Sequence, residues 1–125
     1  MEIFFFGEKD RSRYDNFLFN SEHKDILQSW EWGEVKSKFN WEAERIGFSK
    51  DGQLVGVAQI LERKMILGSI LLYIPRGPVF EWKDRELAKE VLASLKNFLK
   101  QKTKTKKIIF LRLEPRAFSA SSPRF

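Results

Sequence analysis

Lys36 is a candidate binding residue because tryptophans lie close to it in the sequence. It sits one helical turn after Trp32, and Trp30 and Trp41 are near. A lysine flanked by aromatic rings can hold a phosphate group while a ring packs on a sugar or a base. The alternative, and the more common arrangement, is a surface lysine whose aliphatic stem covers aromatic side chains of the core.

A second group of candidates follows two segments that the sequence predicts to be parallel strands. Ligands of open sheets bind beyond the carboxyl ends of such strands, and these ends are residues 75–79 and 112–116. Arg76 can grip a carboxylate or phosphate with its forked guanidinium, and Gly77 lets a ligand approach the backbone closely. The alternative is a tight, proline-stiffened turn with a solvated arginine.

The lysines from Lys96 to Lys107 form the most obvious basic patch of the chain. Such a patch can follow the phosphates of tRNA or other RNA, or the headgroups of anionic lipids. Interleaved aromatic residues are missing except for Phe98, so sequence-specific recognition is not predicted. The alternative is a solvated helix end, where lysines also favour the helix dipole.

Other residue types offer little for catalysis. The chain has no cysteine and one histidine, His23, which lies in a polar stretch without an evident partner. The carboxylates show no spacing that calls for acid–base chemistry, and glycine motifs for phosphates or dinucleotides are missing from the sequence. The sequence therefore predicts no metal site and no cofactor, and leaves the catalytic residues unknown.

The composition predicts one folded domain over residues 1–125. The sequence is 42% hydrophobic and 32% charged, with a net charge of +6 and a pI near 9.7, which favours an anionic partner. No apolar run approaches the ~20 residues that span a bilayer. The N-terminus has no basic region before its apolar patch, so it is a poor signal peptide and the cytoplasm is the expected compartment.

The apolar pattern predicts three helices. A short helix is expected over residues 10–19, and a second begins after Ser29 as N-cap, with an apolar face of Trp32, Val35 and Phe39. The third helix follows Asp84 as N-cap and carries an apolar stripe from residue 87 to 99.

The remaining apolar runs predict strands. Residues 42–49 and 54–61 form a hairpin around a turn at residues 50–52, and 54–61 reads as a central strand. Residues 69–74 and 108–113 flank the third helix, which makes a βαβ unit with parallel strands. The predicted fold class is α+β, a mixed sheet in which an antiparallel hairpin feeds a parallel pair. Residues 117–125 are expected to be an irregular tail, and the chain is expected to be truncated.

Four segments resemble the FemABX family of peptidoglycan bridge-forming aminoacyltransferases. Residues 28–36, Q-S-W-E-W-G-E-V-K, followed by Trp41, resemble the family's Q-S-x-x-W-x-x-x-K opening, and residues 51–58 look like its first hairpin. Residues 73–79, Y-I-P-R-G-P-V, are similar to its Y-x-P-R/K-G-P-V turn. Residues 110–115, F-L-R-L-E-P, are similar to its L-R-I/L/F-E/D-P strand. The segments occur in the family's order, and together they are fairly specific.

The resemblance implies a GNAT-like (acyl-CoA N-acyltransferase) domain, of which the family carries two; the second is expected to be absent here. Such enzymes transfer an aminoacyl group from aminoacyl-tRNA to the stem-peptide amine of lipid II or UDP-MurNAc-pentapeptide. By motif match, Lys36 corresponds to the lysine that contacts the precursor's diphosphate. Trp32 lies beside it in the motif, and Arg76 and Gly77 are expected near the same cleft. The residues alone are expected to have little or no transfer activity.

Two other functions stay open from the sequence. One is a non-catalytic module that binds a nucleotide-sugar or polyanion through Lys36 and Arg76. The other is an RNA-binding protein that acts through the lysines from Lys96 to Lys107. The partners that the family resemblance implies are lipid II or UDP-MurNAc-pentapeptide and aminoacyl-tRNA. Peripheral contact with the inner face of the membrane is a further option.

Overall fold

The computed structural model describes residues 1–104 and 107–115. Within these ranges, three helices pack on the two faces of a six-stranded sheet. The helices are α1 (Arg11–Phe19), α2 (Trp30–Ser37) and α3 (Arg85–Thr103), and the strands are β1 (Glu2–Phe5), β2 (Glu42–Lys50), β3 (Gln53–Lys64), β4 (Ser69–Pro75), β5 (Val79–Phe80) and β6 (Lys107–Glu114). The expected tail, 117–125, lies outside the described residues.

The sheet is mixed, as predicted. Its order is β1-β2-β3-β4-β6, and β5 pairs with β3 beside β4. The pairs from β1 to β4 are antiparallel, whereas β4 and β6 are parallel and joined through α3. The predicted hairpin and βαβ unit are therefore both confirmed.

Helix starts follow their capping residues. The side chain of Ser29 accepts a hydrogen bond from the Trp32 amide at 3.1 Å, and that of Asp84 accepts one from the Leu87 amide at 3.1 Å. Both N-caps were predicted, and α3 buries its predicted stripe against the sheet through Val91, Leu95 and Leu99. None of the described helices is both long and apolar enough to cross a bilayer.

Three local features differ from the sequence predictions. Strands β1 and β5 were not predicted, because a four-residue and a two-residue strand carry too short a pattern to recognise. The predicted apolar face of α2 was wrong: Val35 and Phe39 are exposed, whereas Trp30 and Gly33 are buried. The helix ends at Ser37, so Phe39 falls beyond it and does not extend the helical pattern.

The core has one layer on each face of the sheet. On one face, α3 packs against apolar side chains that include Ile46, Ile60 and Leu72. On the other, α1 and α2 cover Val57 and Val79 with Tyr14 and Trp30, whose rings meet edge to face. Since α1 and α2 lie over β1 to β3, the same face of β4 and β6 stays open beside α2, where Phe110 is exposed.

The sheet contains a gap on one side of β3. Strand β4 pairs with β3 from Leu61 to Lys64, and β5 pairs with it at Gly56 and Val57. The residues between these two stretches have neither strand as a partner. Unpaired buried backbone groups are costly, so this gap needs another source of hydrogen bonds.

The side chain of Gln28 fills this gap. Its carbonyl oxygen accepts a hydrogen bond from the Gln59 amide at 2.7 Å, and its amino group donates to the carbonyls of Gln59 at 3.2 Å and Pro75 at 2.7 Å. The Gln28 side chain is fully buried. Its backbone carbonyl also accepts from the Tyr14 hydroxyl at 2.7 Å. One glutamine thus joins α1, β3, β4 and the segment that leads into α2.

The Gln59 side chain continues this network into α2. It donates to the Ser29 carbonyl at 2.8 Å and accepts from Arg45 Nε at 2.8 Å. Arg45 in turn donates to the Trp30 carbonyl at 2.9 Å, and its guanidinium lies 4.1 Å from the centre of the Trp30 ring. Burial lowers the pKa of Arg45. A Cβ at Gly33 would overlap the Gln59 side chain, so only glycine lets α2 sit this close.

We expect Gln28→Leu to lower the free energy of unfolding by roughly 3 kcal/mol, because it leaves buried amide and carbonyl groups of Gln59 and Pro75 unpaired. Urea titration followed by circular dichroism measures the change. Gln101→Leu, at an exposed position of α3, is the matched control and should change stability by less than about 0.5 kcal/mol. Equal effects of the two substitutions would contradict the assigned role of Gln28.

We expect Gly33→Ala to destabilise the protein by about 1–3 kcal/mol through overpacking, although alanine favours a helix over glycine by about 1 kcal/mol. The added Cβ would lie 2.5 Å from Arg45 Nη2, which is held by its hydrogen bond to Trp30. Thermal unfolding measures the effect. Asn97→Ala, on an exposed position of α3, gains helix propensity without a clash and should be neutral or stabilising. A stabilised Gly33→Ala variant would show that α2 does not dock this closely.

Candidate functional site

Lys36 lies between two tryptophan rings at the end of α2. The chain reverses after the helix through Asn40, whose φ is 69°, and the Trp41 amide donates to the Lys36 carbonyl at 3.3 Å. Trp41 is thereby brought back beside the helix. The Lys36 ammonium is 5.7 Å from the centre of the Trp32 ring and 5.2 Å from that of Trp41. It makes no ion pair with another described residue, so its charge is available to a ligand.

Trp41 extends this group towards β3 and β4. It directly precedes Glu42, which pairs with Glu62, so Arg63 lies across from it in the hairpin. The Arg63 guanidinium is 5.6 Å from the centre of the Trp41 ring, and the Tyr73 ring is 6.4 Å away, centre to centre. An open cavity of about 510 Å³ lies here, lined by Ser37, Asn40, Trp41, Glu42, Glu62, Arg63 and Lys64.

Tyr73 connects Trp41 to residues of β6. It pairs with Arg112 in the parallel register, and the Arg112 guanidinium lies 5.4 Å from the centre of its ring. The Tyr73 hydroxyl donates to Glu114 Oε1 at 2.6 Å, while Arg112 Nη2 lies 2.8 Å from Glu114 Oε2. The hydrogen bond from Tyr73 holds the pKa of Glu114 below its ordinary value, and burial, aided by Glu114, raises the pKa of Tyr73.

Arg76 and Gly77 lie just past β4, at the edge where the sequence places them. Arg76 adopts a left-handed conformation with φ of 57°, which is uncommon for a bulky residue. Its charge also lowers the pKa of Glu114, so it belongs to the same electrostatic group. Gly77 is buried against Gln28, and a Cβ there would lie 2.6 Å from Gln28 Cδ. Packing inside the protein thus requires glycine here; ligand approach at Gly77 stays a prediction.

These residues form one continuous group, the aromatic–cation cluster, which consists of Trp32, Lys36, Trp41, Arg63, Tyr73, Arg76, Arg112 and Glu114. It contains four cations and one carboxylate. A cation-rich surface with half-buried aromatic rings suits a diphosphate joined to a sugar. A carboxylate with a lowered pKa is a weak base, so the cluster favours binding over proton transfer.

Three of the four site residues predicted from the sequence belong to this cluster, where they lie in two halves, and the fourth, Gly77, directly follows Arg76. Trp32 and Lys36 lie on the α2 side, Arg76 lies on the β4 side, and the contact between Trp41 and Tyr73 joins the halves. Arg63, Tyr73 and Glu114 were not predicted as site residues. Tyr73 and Glu114 could have been found from their places in the strand motifs, whereas Arg63 depends on the hairpin register.

His23 corrects one expectation, because it has a partner. Its Nε2 lies 3.7 Å from Glu81 Oε1, too far for a hydrogen bond, and this atom has no hydrogen-bond partner among the described residues. Together with Glu22, these side chains could place ligand atoms within 4.8 Å of one another. Glu22 also lies 3.6 Å from Lys83, so its charge is already balanced in part.

The lysines from Lys96 to Lys107 are less uniform than the sequence suggests. Lys102 points back to the sheet, where its ammonium lies 2.9 Å from Glu44 and 3.8 Å from Glu62. Lys96 and Lys100 are exposed on α3. Within the predicted patch, the exposed lysines are therefore Lys96, Lys100 and Lys104, whereas Lys102 belongs to an internal ion pair. Lys106 and the side chain of Lys107 lie outside the described residues.

Comparison with known proteins identifies relatives of this chain. The FemAB family model matches residues 10–122. A lipid II:glycine glycyltransferase of Staphylococcus aureus (strain MRSA252) is 36% identical over 88 residues, which are 70% of this chain and 21% of that protein. The chain thus spans about a fifth of the length of the curated relatives it matches.

Solved structures agree with the predicted GNAT-like fold. The crystal structure of FemX superposes with a TM-score of 0.72 and 33% identity, over 86% of this chain and 25% of that chain. A ribosomal-protein-alanine N-acetyltransferase from Brucella melitensis biovar Abortus 2308 superposes with a TM-score of 0.60 and 15% identity, over 100% of this chain and 94% of that chain. The second likeness concerns the fold alone, and it confirms the predicted fold class.

We expect Tyr73→Phe to raise the pKa of Glu114 towards its ordinary value, because the Tyr73 hydroxyl is the main cause of the lowered pKa. The carboxyl carbon shift of Glu114, followed by NMR across pH, measures this. Arg112→Gln should also raise the pKa, since Arg112 donates to the same carboxylate. Tyr14→Phe, which removes a hydroxyl that donates to the Gln28 carbonyl, should leave it unchanged. A Glu114 pKa that does not move in Tyr73→Phe would mean that this hydrogen bond does not form in solution.

Proposed function

The chain belongs to the FemAB family, as its motifs indicated, and on this premise we propose that it serves peptidoglycan bridge formation. The reaction is the transfer of an aminoacyl group to the stem-peptide amine of a cell-wall precursor. In this reaction, the described residues recognise the acceptor. The relatives named above support this proposal, since one is a lipid II:glycine glycyltransferase.

One observation carries the proposal: Lys36 stands between the rings of Trp32 and Trp41 without an ion pair in the described part of the chain. An ammonium held by ring faces keeps its charge and loses some of its hydration, which strengthens its contact with an anion. The acceptor of the family, lipid II or UDP-MurNAc-pentapeptide, carries a diphosphate next to a sugar. Lys36 would contact the diphosphate, and a tryptophan ring would pack on the sugar.

The rest of the aromatic–cation cluster suits the same ligand. Arg63 and Arg112 stack on Trp41 and Tyr73, so their guanidiniums are pre-oriented along the open face of β4. Arg76 is held just past β4 in a conformation that costs roughly 1–3 kcal/mol for a non-glycine residue. Backbone strain of this kind is concentrated at functional sites, which supports a role for Arg76 in binding.

The proposed donor is aminoacyl-tRNA. The net charge of +6 and the exposed lysines Lys96 and Lys100 favour a polyanion of this size. Transfer from an activated ester can rely on positioning of the two substrates, which requires no nucleophile from the protein. The weak basicity of Glu114 is compatible with such a mechanism.

A second candidate is a module that binds a nucleotide-sugar or another polyanion without transferring anything. The cluster itself favours it, because it holds several cations and its one carboxylate, Glu114, has a lowered pKa that makes it a weak base. The two candidates share the binding surface and differ in the reaction. A transfer assay therefore separates them, whereas a binding assay tests the surface that both require.

We expect Lys36→Ala to weaken binding of UDP-MurNAc-pentapeptide about 10–100-fold, because it removes a charge-assisted contact with the diphosphate. Isothermal titration calorimetry at constant salt measures the change. Lys38→Ala is the matched control, since Lys38 is exposed two residues further on and contacts neither ring. Equal affinities of the two variants would remove Lys36 from the binding surface.

The transfer step is tested with aminoacyl-tRNA and the same acceptor. Formation of an aminoacylated acceptor supports the transferase, and binding of the acceptor without transfer supports the non-catalytic module. Binding of tRNA alone, with a steep salt dependence that weakens in Lys96→Gln/Lys100→Gln, would favour an RNA-binding protein instead.

A further inference from the structure

The turn between β3 and β4 exposes three large apolar side chains in a row. Met65 is 41% exposed, Ile66 80% and Leu67 85%. No other stretch of the described chain presents adjacent apolar residues this fully to solvent. Water is an unfavourable environment for such a group, so this turn calls for an apolar partner.

The conformation of the turn holds these side chains outwards. The Met65 amide donates to the Ser69 carbonyl at 2.7 Å, and the Ser69 hydroxyl donates to the Ile66 carbonyl at 2.5 Å. Leu67 adopts a left-handed conformation with φ of 58°, and Gly68 follows with φ of 76°. The hydrogen-bonded turn therefore fixes the apolar side chains at the tip of a long hairpin and prevents them from folding back onto the sheet.

Basic residues border the apolar tip. Arg63 and Lys64 directly precede it, both are exposed, and neither makes an ion pair with another described residue. An apolar tip with a basic collar matches the interface of a membrane, where apolar side chains enter the acyl region and cations meet anionic headgroups. We propose that the β3–β4 turn inserts Met65, Ile66 and Leu67 into the surface of an anionic lipid bilayer.

This insertion places the part of the aromatic–cation cluster nearest the turn, Arg63 and Trp41, at the level of the headgroups, and Tyr73 just beyond that level. Tyr73 pairs with Leu61, three residues before the end of β3 at Lys64, which corresponds to about 10 Å along the strand. The headgroup layer of a bilayer is about 5–8 Å thick on each side. The diphosphate of a lipid-linked precursor lies in this layer, within reach of Arg63 and Trp41. The preference for a lipid-linked acceptor rests on the proposed function, whereas membrane contact rests on the turn itself.

A second copy of the chain is a poorer fit for the same surface. Two tips that meet would bring their Arg63 and Lys64 side chains together, and like charges repel. Stable protein interfaces also bury about 800 Å² on each partner, far more than three side chains of a turn supply. A bilayer needs no matching shape and offers opposite charge.

The test is co-sedimentation of the chain with sucrose-loaded vesicles of phosphatidylcholine, with and without phosphatidylglycerol. We expect the wild-type chain to bind the anionic vesicles and the double variant Ile66→Ser/Leu67→Ser to bind them about 10-fold or more weakly. Ile26→Ser is the matched control: Ile26 is 69% exposed and lies beside the opposite end of β4. It should bind as the wild type does. Circular dichroism verifies that each variant is folded.

Each other outcome has a definite meaning. Vesicle binding that survives in the turn variant and is lost in Lys96→Gln/Lys100→Gln would assign membrane contact to α3 and overturn the proposal. Loss of self-association in the turn variant, without vesicle binding by the wild type, would also overturn it in favour of a second copy. Binding of soluble UDP-MurNAc-pentapeptide should be the same in the turn variant and the wild type. Failure of that binding in both, with vesicle contact intact, would count against the proposed function alone.

Discussion

The carboxamide of Gln28 is the contact on which the rest of the arrangement depends. It substitutes for a missing strand partner, because β4 and β5 leave β3 unpaired around Gln59. The residues after Gln28 then dock on the sheet through Ser29, Trp30 and Gly33, and the helix that starts there carries Lys36 in its last turn. The motif at residues 28–36 that resembles the family therefore has a mainly structural role. Most of its residues hold α2 against the sheet, and its last residue, Lys36, belongs to the aromatic–cation cluster.

The cluster combines strong charge with limited chemistry. Lys36 and Arg63 lie against aromatic rings and have no ion pair with another described residue, so they keep their attraction for an external anion, whereas Arg112 lies against Tyr73 and is also paired with Glu114. The single carboxylate, Glu114, is stabilised in its ionised form by Tyr73 and Arg112. In the proposed function, such a surface would recognise and orient a diphosphate-linked substrate. The proposed reaction would then depend on the arrangement of its two substrates, which is compatible with a chain that has no cysteine.

Much of the fold could be predicted from the sequence because its longer elements have clear patterns. The caps at Ser29 and Asp84, the stripe of α3 and the turn at residues 51–52 were all read correctly. The site was harder, because it depends on register. Next to the turn, Lys50 pairs with Gln53, so the numbers of paired residues add up to 103. A bulge at Phe48 and Ser49 shifts the register by one residue, and from there on the numbers of paired residues add up to 104. This one-residue shift exchanges the faces of β3, and it decides that Arg63 lies opposite Trp41. The gap beside β3 was equally hidden, because one buried glutamine has no periodicity.

The gap also couples stability to recognition. Gln28 holds the Pro75 carbonyl against the segment that leads into α2. Arg76 directly follows Pro75, and Lys36 lies in the last turn of α2. An anion that contacts both Lys36 and Arg76 would span the same two segments that Gln28 already ties together. By thermodynamic linkage, anything that tightens the docking of α2 raises the affinity for such an anion, and the bound anion strengthens the docking by the same free energy. Substitutions at buried positions around Gln28 are therefore expected to change how tightly the proposed surface holds an anion.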